Sequence, residues 1–408
     1  MTAREPQDPQ LAAVVAEMER LSRRRFLTRS GLVVGGMALG PAFLAACGDD
    51  KTTTSSGDVT TPEVQEKLLT ISNWTAYIDK DASGDVAGPD TTIDRFQKAT
   101  GIKVTYNEDY NDNNEVFNKV LSPNLSQGKP VGPDIVVPTN WLVARLVNLG
   151  WVDELPLDQI PNHKNLEDSY LNLDWDVGAK HFMPWAKGVT GIAYDVTKTG
   201  GDLTSLDALF DPKYKGRVGM LTELRDAVGL TMLLQGKDPT KKDMDAANAA
   251  LDKIEQAKND GQVSKFTGNE YLQSLESGDF VACMGWSGDI QQLNNPNIKF
   301  AVPESGGMLF FDCMTIPKGS PHTQSAAKWM DFVYDPVNAA KITAYSQYAA
   351  PVKGLRDELT KLGGDAATLA ESPLLFPDDA TLKRLNVFWS LSDDDEETLN
   401  KRFDSIIA

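Results

Sequence analysis

The alternation of short apolar runs with helical segments is the feature that most restricts the fold of this 408-residue chain. A strand is predicted at residues 68–73, a helix at 92–100 that ends at Gly101, and a second strand at 102–106. Further strands are predicted at 135–137, 191–194, 218–221 and 280–286, and further helices at 142–149, 205–210, 244–254, 325–334 and 336–346. Strand–helix–strand succession builds parallel sheets. Because the chain exceeds what one core covers, we predict two α/β lobes.

Two processing signals occur at residues 22–47. Ser22-Arg23-Arg24-Arg25-Phe26-Leu27 is typical of a twin-arginine export signal, and Leu44-Ala45-Ala46-Cys47 of a lipidation box. The apolar run at 31–46 is shorter than the roughly 20 residues of a membrane-spanning helix. We therefore predict a signal peptide at 1–46, a lipid on Cys47, a flexible tether at 47–66 and a folded body at 67–408, on the extracytoplasmic face of the membrane.

The charge of the chain restricts its partners. Removal of residues 1–47 removes six basic and four acidic residues, which moves the net charge from −18 to −20. Such a surplus of negative charge excludes nucleic acid and favours cationic small ligands, although acidity also keeps an exported protein soluble. We expect a monomer.

Signatures of catalysis and of cofactor binding are not found in the sequence. The segment Gly285-Trp286-Ser287-Gly288-Asp289 lacks the last glycine of a nucleophile elbow, and no histidine lies in a zinc-binding motif. Residues 79–90 resemble a calcium loop, but their flanks favour a solvated acidic turn. Cys283 and Cys313 lie in apolar runs, so two buried free thiols are expected rather than a bridge. We predict no enzymatic activity, no metal and no cofactor.

Aromatic and acidic residues occur together at the predicted ends of elements, where an open α/β sheet places its ligand. The segments are Asn73-Trp74-Thr75-Ala76-Tyr77, Pro138-Thr139-Asn140-Trp141, Leu221-Thr222-Glu223-Leu224-Arg225-Asp226, Gly285 to Asp289, Gly306 to Asp312, and Ser346-Gln347-Tyr348. Aromatic faces attract cations by about 0.5 to 2 kcal/mol per contact, and a buried ammonium also needs a carboxylate. Tryptophan and tyrosine with several acids therefore suit a polycation, whereas each residue taken alone is compatible with a role in the core or as a helix cap.

The sequence resembles the spermidine/putrescine-binding proteins of ABC transporters, within the bacterial extracellular solute-binding proteins. The resemblance covers residues 68–388. It is carried by Asn73-Trp74-Thr75-x-Tyr77, Phe96-x-x-x-Thr100-Gly101-Ile102-x-Val104, Asp134-Ile135-Val136-Val137-Pro138, Ser205-Leu206-x-x-Leu209-x-x-Pro212-x-Tyr214-Lys215-Gly216 and Asp312-x-x-x-Ile316-Pro317. It implies a type II periplasmic-binding-protein fold, with a hinge and a ligand cleft between the lobes. Lobe 1 is expected at about 67–180 and lobe 2 at about 185–305, and the C-terminal third is divided between them.

The resemblance also implies roles for individual residues. Glu223 and Asp226 resemble the acids that contact one end of the ligand. Asp312 resembles the acid that contacts a central or distal amine, and Asp289 resembles an acid found in putrescine-type members. Phe310 stands where a tryptophan is common. The implied ligand-binding set is Trp74, Thr75, Tyr77, Thr139, Trp141, Glu223, Asp226, Trp286, Asp289, Phe310, Asp312 and Tyr348.

Two departures from the family pattern concern the length and charge of the ligand. Ala76 replaces an acid that is often present, and the late polar contact near Trp389 has no counterpart. Four candidate acids fit three ligand charges better than two, so spermidine is expected ahead of putrescine, with delivery to a membrane permease.

Three alternative functions are compatible with the sequence. The first is a protein that binds a sugar, an amino acid or an aminophosphonate, with Arg225 as the basic residue that would contact an anionic ligand. The second is a sensor subunit, and the third is an exported hydrolase that uses Glu223 and Asp226 as acid and base.

Overall fold

The computed structural model describes residues 67–408. The predicted export signal, the lipidation at Cys47 and the tether up to residue 66 lie outside the described residues. The strands are β1 (Leu68–Trp74), β2 (Lys103–Tyr110), β3 (Ile135–Val136), β4 (Asn172–Leu173), β5 (Asp176–Val177), β6 (Met183–Asp195), β7 (Val218–Leu221), β8 (Val263–Thr267), β9 (Ala282–Trp286), β10 (Ile298–Ala301), β11 (Gly307–Met314) and β12 (Leu385–Asn386).

Fifteen α-helices separate or follow these strands in the described part of the chain. They are α1 (Thr92–Thr100), α2 (Asn113–Val116), α3 (Ser122–Leu125), α4 (Asn140–Asn148), α5 (Val196–Thr199), α6 (Leu224–Leu234), α7 (Met244–Asn259), α8 (Tyr271–Ser277), α9 (Ser287–Gln292), α10 (Thr323–Val333), α11 (Pro336–Ser346), α12 (Leu355–Leu362), α13 (Gly364–Leu369), α14 (Asp379–Leu382) and α15 (Asp393–Ile407). A π-helical turn at Phe117–Leu121 joins α2 to α3, and the predicted helix at 205–210 is a 3₁₀ turn, Leu206–Phe210.

The first sheet has the order β2-β1-β3, and all its strands are parallel. Helix α1 connects β1 to β2. Its cap residue Thr91 accepts a hydrogen bond from the Asp94 amide, and Gly101 ends the helix in the left-handed region at a φ of 71°. Ile93 and Phe96 are fully buried, so the apolar face of the helix covers the sheet.

The second sheet is mixed, with the order β12-β11-β6-β9-β7-β8 and with β10 also paired to β6. Strand β7 is parallel to β8 and β9, whereas β6 is antiparallel to β9, β10 and β11. Helices α6 and α7 pack on each other beside this sheet, and α15 packs against both.

The two sheets are joined beside β11, which pairs with the long strand β6. All 13 residues of β6 are buried; its first half pairs with β11 and its second half with β9 and β10. Just beyond β11, Thr315 forms a bridge with Val136 of β3, which joins this strand to the first sheet. Helix α10 packs against β1, and α11 packs against α1. The predicted fold class, two α/β lobes of the type II periplasmic-binding-protein kind, is confirmed.

Other features of the described residues bear on the sequence predictions. Cys283 and Cys313 are buried and unbridged, as expected. In the segment at 79–90, the Asp81 carboxylate accepts hydrogen bonds from the Ser83 and Asp85 amides, which forms a tight acidic turn. Across residues 67–408, no group of three or more histidine, cysteine, aspartate or glutamate side chains is arranged to hold a metal ion. No helix in that range has the length and apolar character to cross a bilayer.

Candidate functional site

A cavity of about 640 Å³, including the space at its mouth, lies where both sheets and the connecting strand β11 meet. Trp74 ends β1, Thr139 follows β3, Glu223 follows β7 and Trp286 ends β9. The wall is made by Trp74, Tyr77, Asn113, Thr139, Asn140, Trp141, Glu223, Arg225, Asp226, Asn269, Trp286, Asp289, Met308, Leu309, Phe310, Asp312, Tyr348, Val387 and Phe388. The cavity is therefore aromatic and acidic.

Asp312 is held by two hydroxyl groups in the middle of β11. Its Oδ1 accepts a hydrogen bond from Thr139 Oγ1 at 2.7 Å, and its Oδ2 accepts one from Tyr77 Oη at 2.8 Å. The side chain is nearly inaccessible, and this burial raises the pKa of Asp312 to about 7, against the opposing effect of the two hydrogen bonds. The charge of Asp312 is thus costly unless a cation lies beside it.

Glu223 and Asp226 lie at the start of α6. Asn113 donates to Glu223 Oε1 from its amide at 3.1 Å and from Nδ2 at 2.8 Å. Asp226 accepts from Thr190 Oγ1 at 2.8 Å and from Trp286 Nε1 at 3.0 Å. Burial raises the pKa of Glu223 to about 8, with further contributions from the charges of nearby acids, and it raises the pKa of Asp226 to about 6. These acids also lack a full counter-charge.

Asp289 lies at the opposite side of the aromatic wall, in the first turn of α9, and is fully buried. Its carboxylate accepts hydrogen bonds from Asn269 Nδ2 at 2.9 Å, Tyr271 Oη at 2.9 Å and Tyr348 Oη at 2.8 Å. The Asp289 amide in turn donates to Tyr348 Oη at 3.1 Å. These hydrogen bonds hold Asp289 and Tyr348 in fixed positions relative to each other.

The aromatic side chains form a continuous wall. Trp74 contacts Trp286 with ring centroids 6.3 Å apart, Trp286 contacts Phe310 at 6.3 Å, Phe310 contacts Tyr348 at 6.3 Å, and Tyr348 contacts Tyr77 at 5.0 Å. Trp74 Nε1 donates to the Val137 carbonyl at 2.9 Å, so this ring is fixed from both sides. Such a wall offers flat apolar faces to a methylene chain and π electrons to a cation.

Two glycines allow the rings to approach the backbone. A Cβ atom on Gly288 would lie 2.5 Å from the ring of Tyr348, and one on Gly188 would lie 2.1 Å from the ring of Phe310. No side chain larger than hydrogen fits at these distances.

Among the described residues that form the cavity wall, Arg225 is the one basic residue. Its guanidinium lies 3.9 Å from the centroid of the Trp141 ring and is paired with the Glu396 carboxylate of α15. Its positive charge is therefore already compensated, and it does not serve as the counter-charge of the four acids in the wall.

The structure brings eleven of the twelve residues predicted from the sequence into the cavity wall. Thr75 is not in the wall, although it lies between Trp74 and Tyr77. The face of Trp141 is covered by Arg225. Phe310 and Asp312 were expected at the end of an element and instead lie within β11. Asn113 and Asn269 were missed because a single asparagine outside a motif carries no signal in one sequence.

Comparisons with known proteins agree with this geometry. A model of the bacterial extracellular solute-binding protein family matches residues 91–374. The putrescine-binding periplasmic protein SpuD of Pseudomonas aeruginosa is 29% identical over 346 residues, which are 79% of this chain and 87% of that protein. The putrescine-binding periplasmic protein PotF of Escherichia coli is 28% identical over 372 residues, which are 85% and 89% of the two chains. A protein of Listeria monocytogenes, provisionally named a spermidine/putrescine ABC transporter, superposes with a TM-score of 0.72 at 26% identity and covers 84% of this chain and 99% of its own.

Proposed function

This chain belongs to the bacterial extracellular solute-binding proteins, and from that premise we propose that its cavity binds a polyamine for an ABC importer. The observation that carries the proposal is the set of buried carboxylates held by neutral donors alone within an aromatic wall. An ionised carboxylate in such a place is stabilised when an ammonium group enters. Methylene groups between ammonium groups match the apolar faces of the rings.

The charges of the cavity argue against other small solutes. A sugar would use the aromatic rings but gives no role to several acids, and an anion would require a basic group that is not already paired. Arg225, the candidate for that role, is compensated by Glu396. The names of SpuD and PotF, both putrescine-binding proteins, support the assignment to polyamines.

The rest of the transport role rests on the sequence predictions. We infer that the twin-arginine signal at 1–46 exports the protein, that Cys47 receives a lipid, and that residues 47–66 tether the body to the extracytoplasmic face of the membrane. The body, a monomer of two lobes with the boundaries expected above, then closes by a hinge motion and presents the ligand to a permease. Closure excludes water, which strengthens the attraction between ammonium and carboxylate. Such a protein needs no enzymatic activity and no cofactor.

Isothermal titration calorimetry tests the proposed ligand. The purified protein should bind putrescine or spermidine with a sub-millimolar Kd. Asp312→Asn should weaken binding by at least about 30-fold, because loss of one partner of a buried charge pair costs about 2 kcal/mol or more. The matched control is Asp195→Asn, because Asp195 is also buried but pairs with Lys198 outside the cavity. If putrescine, spermidine, spermine and agmatine all give no heat, the polyamine assignment is wrong.

Separate observations test the anchor and the partner. Cys47→Ala should abolish incorporation of labelled palmitate into the exported protein. Genes for a permease and an ATPase beside the gene for this chain would support transport, whereas a neighbouring receptor gene without them would favour a sensor.

A further inference from the structure

Arg225 is fixed between two groups at the Glu223–Asp226 end of the cavity. Its guanidinium lies over the Trp141 ring and pairs with Glu396, and its side chain is 11% exposed while that of Glu396 is 7% exposed. Trp141 belongs to α4, which follows β3 of the first sheet and packs against β11 of the second, whereas Arg225 belongs to α6 and Glu396 to α15. The stack therefore joins three helices at this end of the cavity.

A second groove begins on the other side of this stack. It shares Asn140, Trp141, Arg225, Val387 and Phe388 with the cavity. Its remaining wall includes Trp175, Trp389, Asp393 and Glu396. Like the cavity, the groove has aromatic rings and carboxylates, together with a further basic residue, Arg145. Since Arg225 lines both spaces, it forms part of the partition between them.

We propose that Arg225 restricts the ligand to a diamine by occupying the place that a third ammonium group would take. This inference rests on the proposed function. The guanidinium already makes the two contacts by which this site would hold an ammonium, an aromatic face and a carboxylate. A triamine that extended past Asp226 would find that aromatic face and that carboxylate already occupied by the guanidinium.

The charges around the cavity agree with two ligand charges. The Arg225 guanidinium lowers the pKa of Asp226 and so opposes the larger effect of burial on that group. At the other end, Asp289 is fully buried and accepts hydrogen bonds from Asn269, Tyr271 and Tyr348, whereas Asp312 and Asp226 each accept from two of the side chains named above. We therefore place the two ammonium groups at Asp312 and at Glu223 with Asp226. The number of acids in the sequence favours spermidine over putrescine. The proposed role of Arg225 reverses this preference, so we expect putrescine to bind more tightly than spermidine.

Variants at Arg225 test the partition. In competition titrations, the wild-type protein should prefer putrescine over spermidine by at least tenfold. Arg225→Ala should reduce that ratio at least tenfold by tightening the binding of spermidine, because it opens the groove and leaves Glu396 to pair with the third ammonium. Adding Glu396→Gln to Arg225→Ala should cancel the gain for spermidine. Arg402→Ala is the control, because Arg402 on α15 pairs with Asp252 outside the cavity and its loss should leave the ratio unchanged.

The possible results separate this inference from the proposed function. If the wild-type protein binds neither amine, the proposed function fails. If it binds both and prefers spermidine, or if Arg225→Ala changes both affinities by the same factor, the function stands and the role of Arg225 is refuted. If Arg225→Ala unfolds below the assay temperature, Arg225→Met replaces it, because methionine keeps most of the bulk of the side chain without its charge. The same ratio of putrescine to spermidine affinity is then measured.

Discussion

Ligand affinity should fall steeply between pH 8 and pH 6, because the acids of the cavity must be ionised to hold a cation. Asp312 has a pKa of about 7 in the ligand-free protein, and an adjacent ammonium lowers it in the complex. The complex therefore binds fewer protons, and affinity decreases as the pH falls through the ligand-free pKa. From Asp312 alone, the loss between pH 8 and pH 6 is about tenfold. The raised pKa values of Glu223 and Asp226 act in the same direction, so tenfold is a lower bound.

Calorimetry measures both the affinity and the protons released. Titrations with putrescine at pH 6, 7 and 8, each in two buffers of different ionisation enthalpy, should show net proton release that increases from pH 8 to pH 6, because the free protein holds more of the protons that the ligand displaces. The amines of the ligand, with pKa values near the reference of about 10.4 for lysine, stay charged over this range and do not contribute. Asp312→Asn should reduce the pH dependence, whereas the control Asp195→Asn should retain it. An affinity that changes by less than twofold, or that increases at pH 6, would refute the reasoning.

Three further predictions concern the ligand-free fold and the walls of the cavity. Burial raises the pKa of the cavity acids above their values in the unfolded chain. These groups therefore stabilise the ligand-free protein most at about pH 4, and their contribution should be lost as the pH rises to about 8. Urea unfolding at several pH values, with and without ligand, would measure this loss. Gly288→Ala should weaken polyamine binding at least tenfold in calorimetry, because the added methyl displaces the Tyr348 ring. Gly319→Ala is the control: the φ of +83° makes alanine costly there and lowers stability, but Gly319 lies outside the cavity wall, so the affinity should not change. Lys187→Met should lower the free energy of unfolding by about 3 to 5 kcal/mol, because it leaves the buried Glu167 carboxylate without the ammonium 2.7 Å away, and the double variant with Glu167→Gln should recover part of that loss.

Several elements could be predicted from the sequence because their signals are local. Helix α1 is bounded by a threonine cap and a glycine, and α11 starts at a proline and was predicted with its observed limits. Strand β6 was predicted only at its end, from 191, because Pro184, Lys187 and Gly188 interrupt the apolar pattern before that point. The buried Lys187 is compatible with a strand only because Glu167 pairs with it, and this contact is not visible in the local sequence.

The residues of the cavity could be predicted where the type of side chain by itself indicates contact with a ligand. Tryptophan, tyrosine and acids at the ends of strands stand out in a sequence, and most of the predicted residues do line one cavity. The stack of Arg225 between Trp141 and Glu396 was not predictable, because it joins residues up to 171 positions apart. A single sequence gives the charge of each side chain but not which charges are already paired, so the number of acids does not by itself give the number of ammonium groups that the site can hold.

The hydrogen bonds of the acids link the two lobes, and this connects closure to charge. Glu223, beside the second sheet, accepts both of its bonds from Asn113, beside the first. Asn113 Nδ2 also donates to Thr139 Oγ1 at 2.8 Å, and Thr139 Oγ1 donates to Asp312. One chain of hydrogen bonds therefore joins the carboxylates at the two proposed ammonium positions across the cleft. Donation to these oxygens is strongest when the carboxylates are ionised, and a diamine favours that state at both ends. Ligand charge, ionisation of the acids and contact between the lobes therefore stabilise one another, and a neutral molecule of the same length would gain none of these terms.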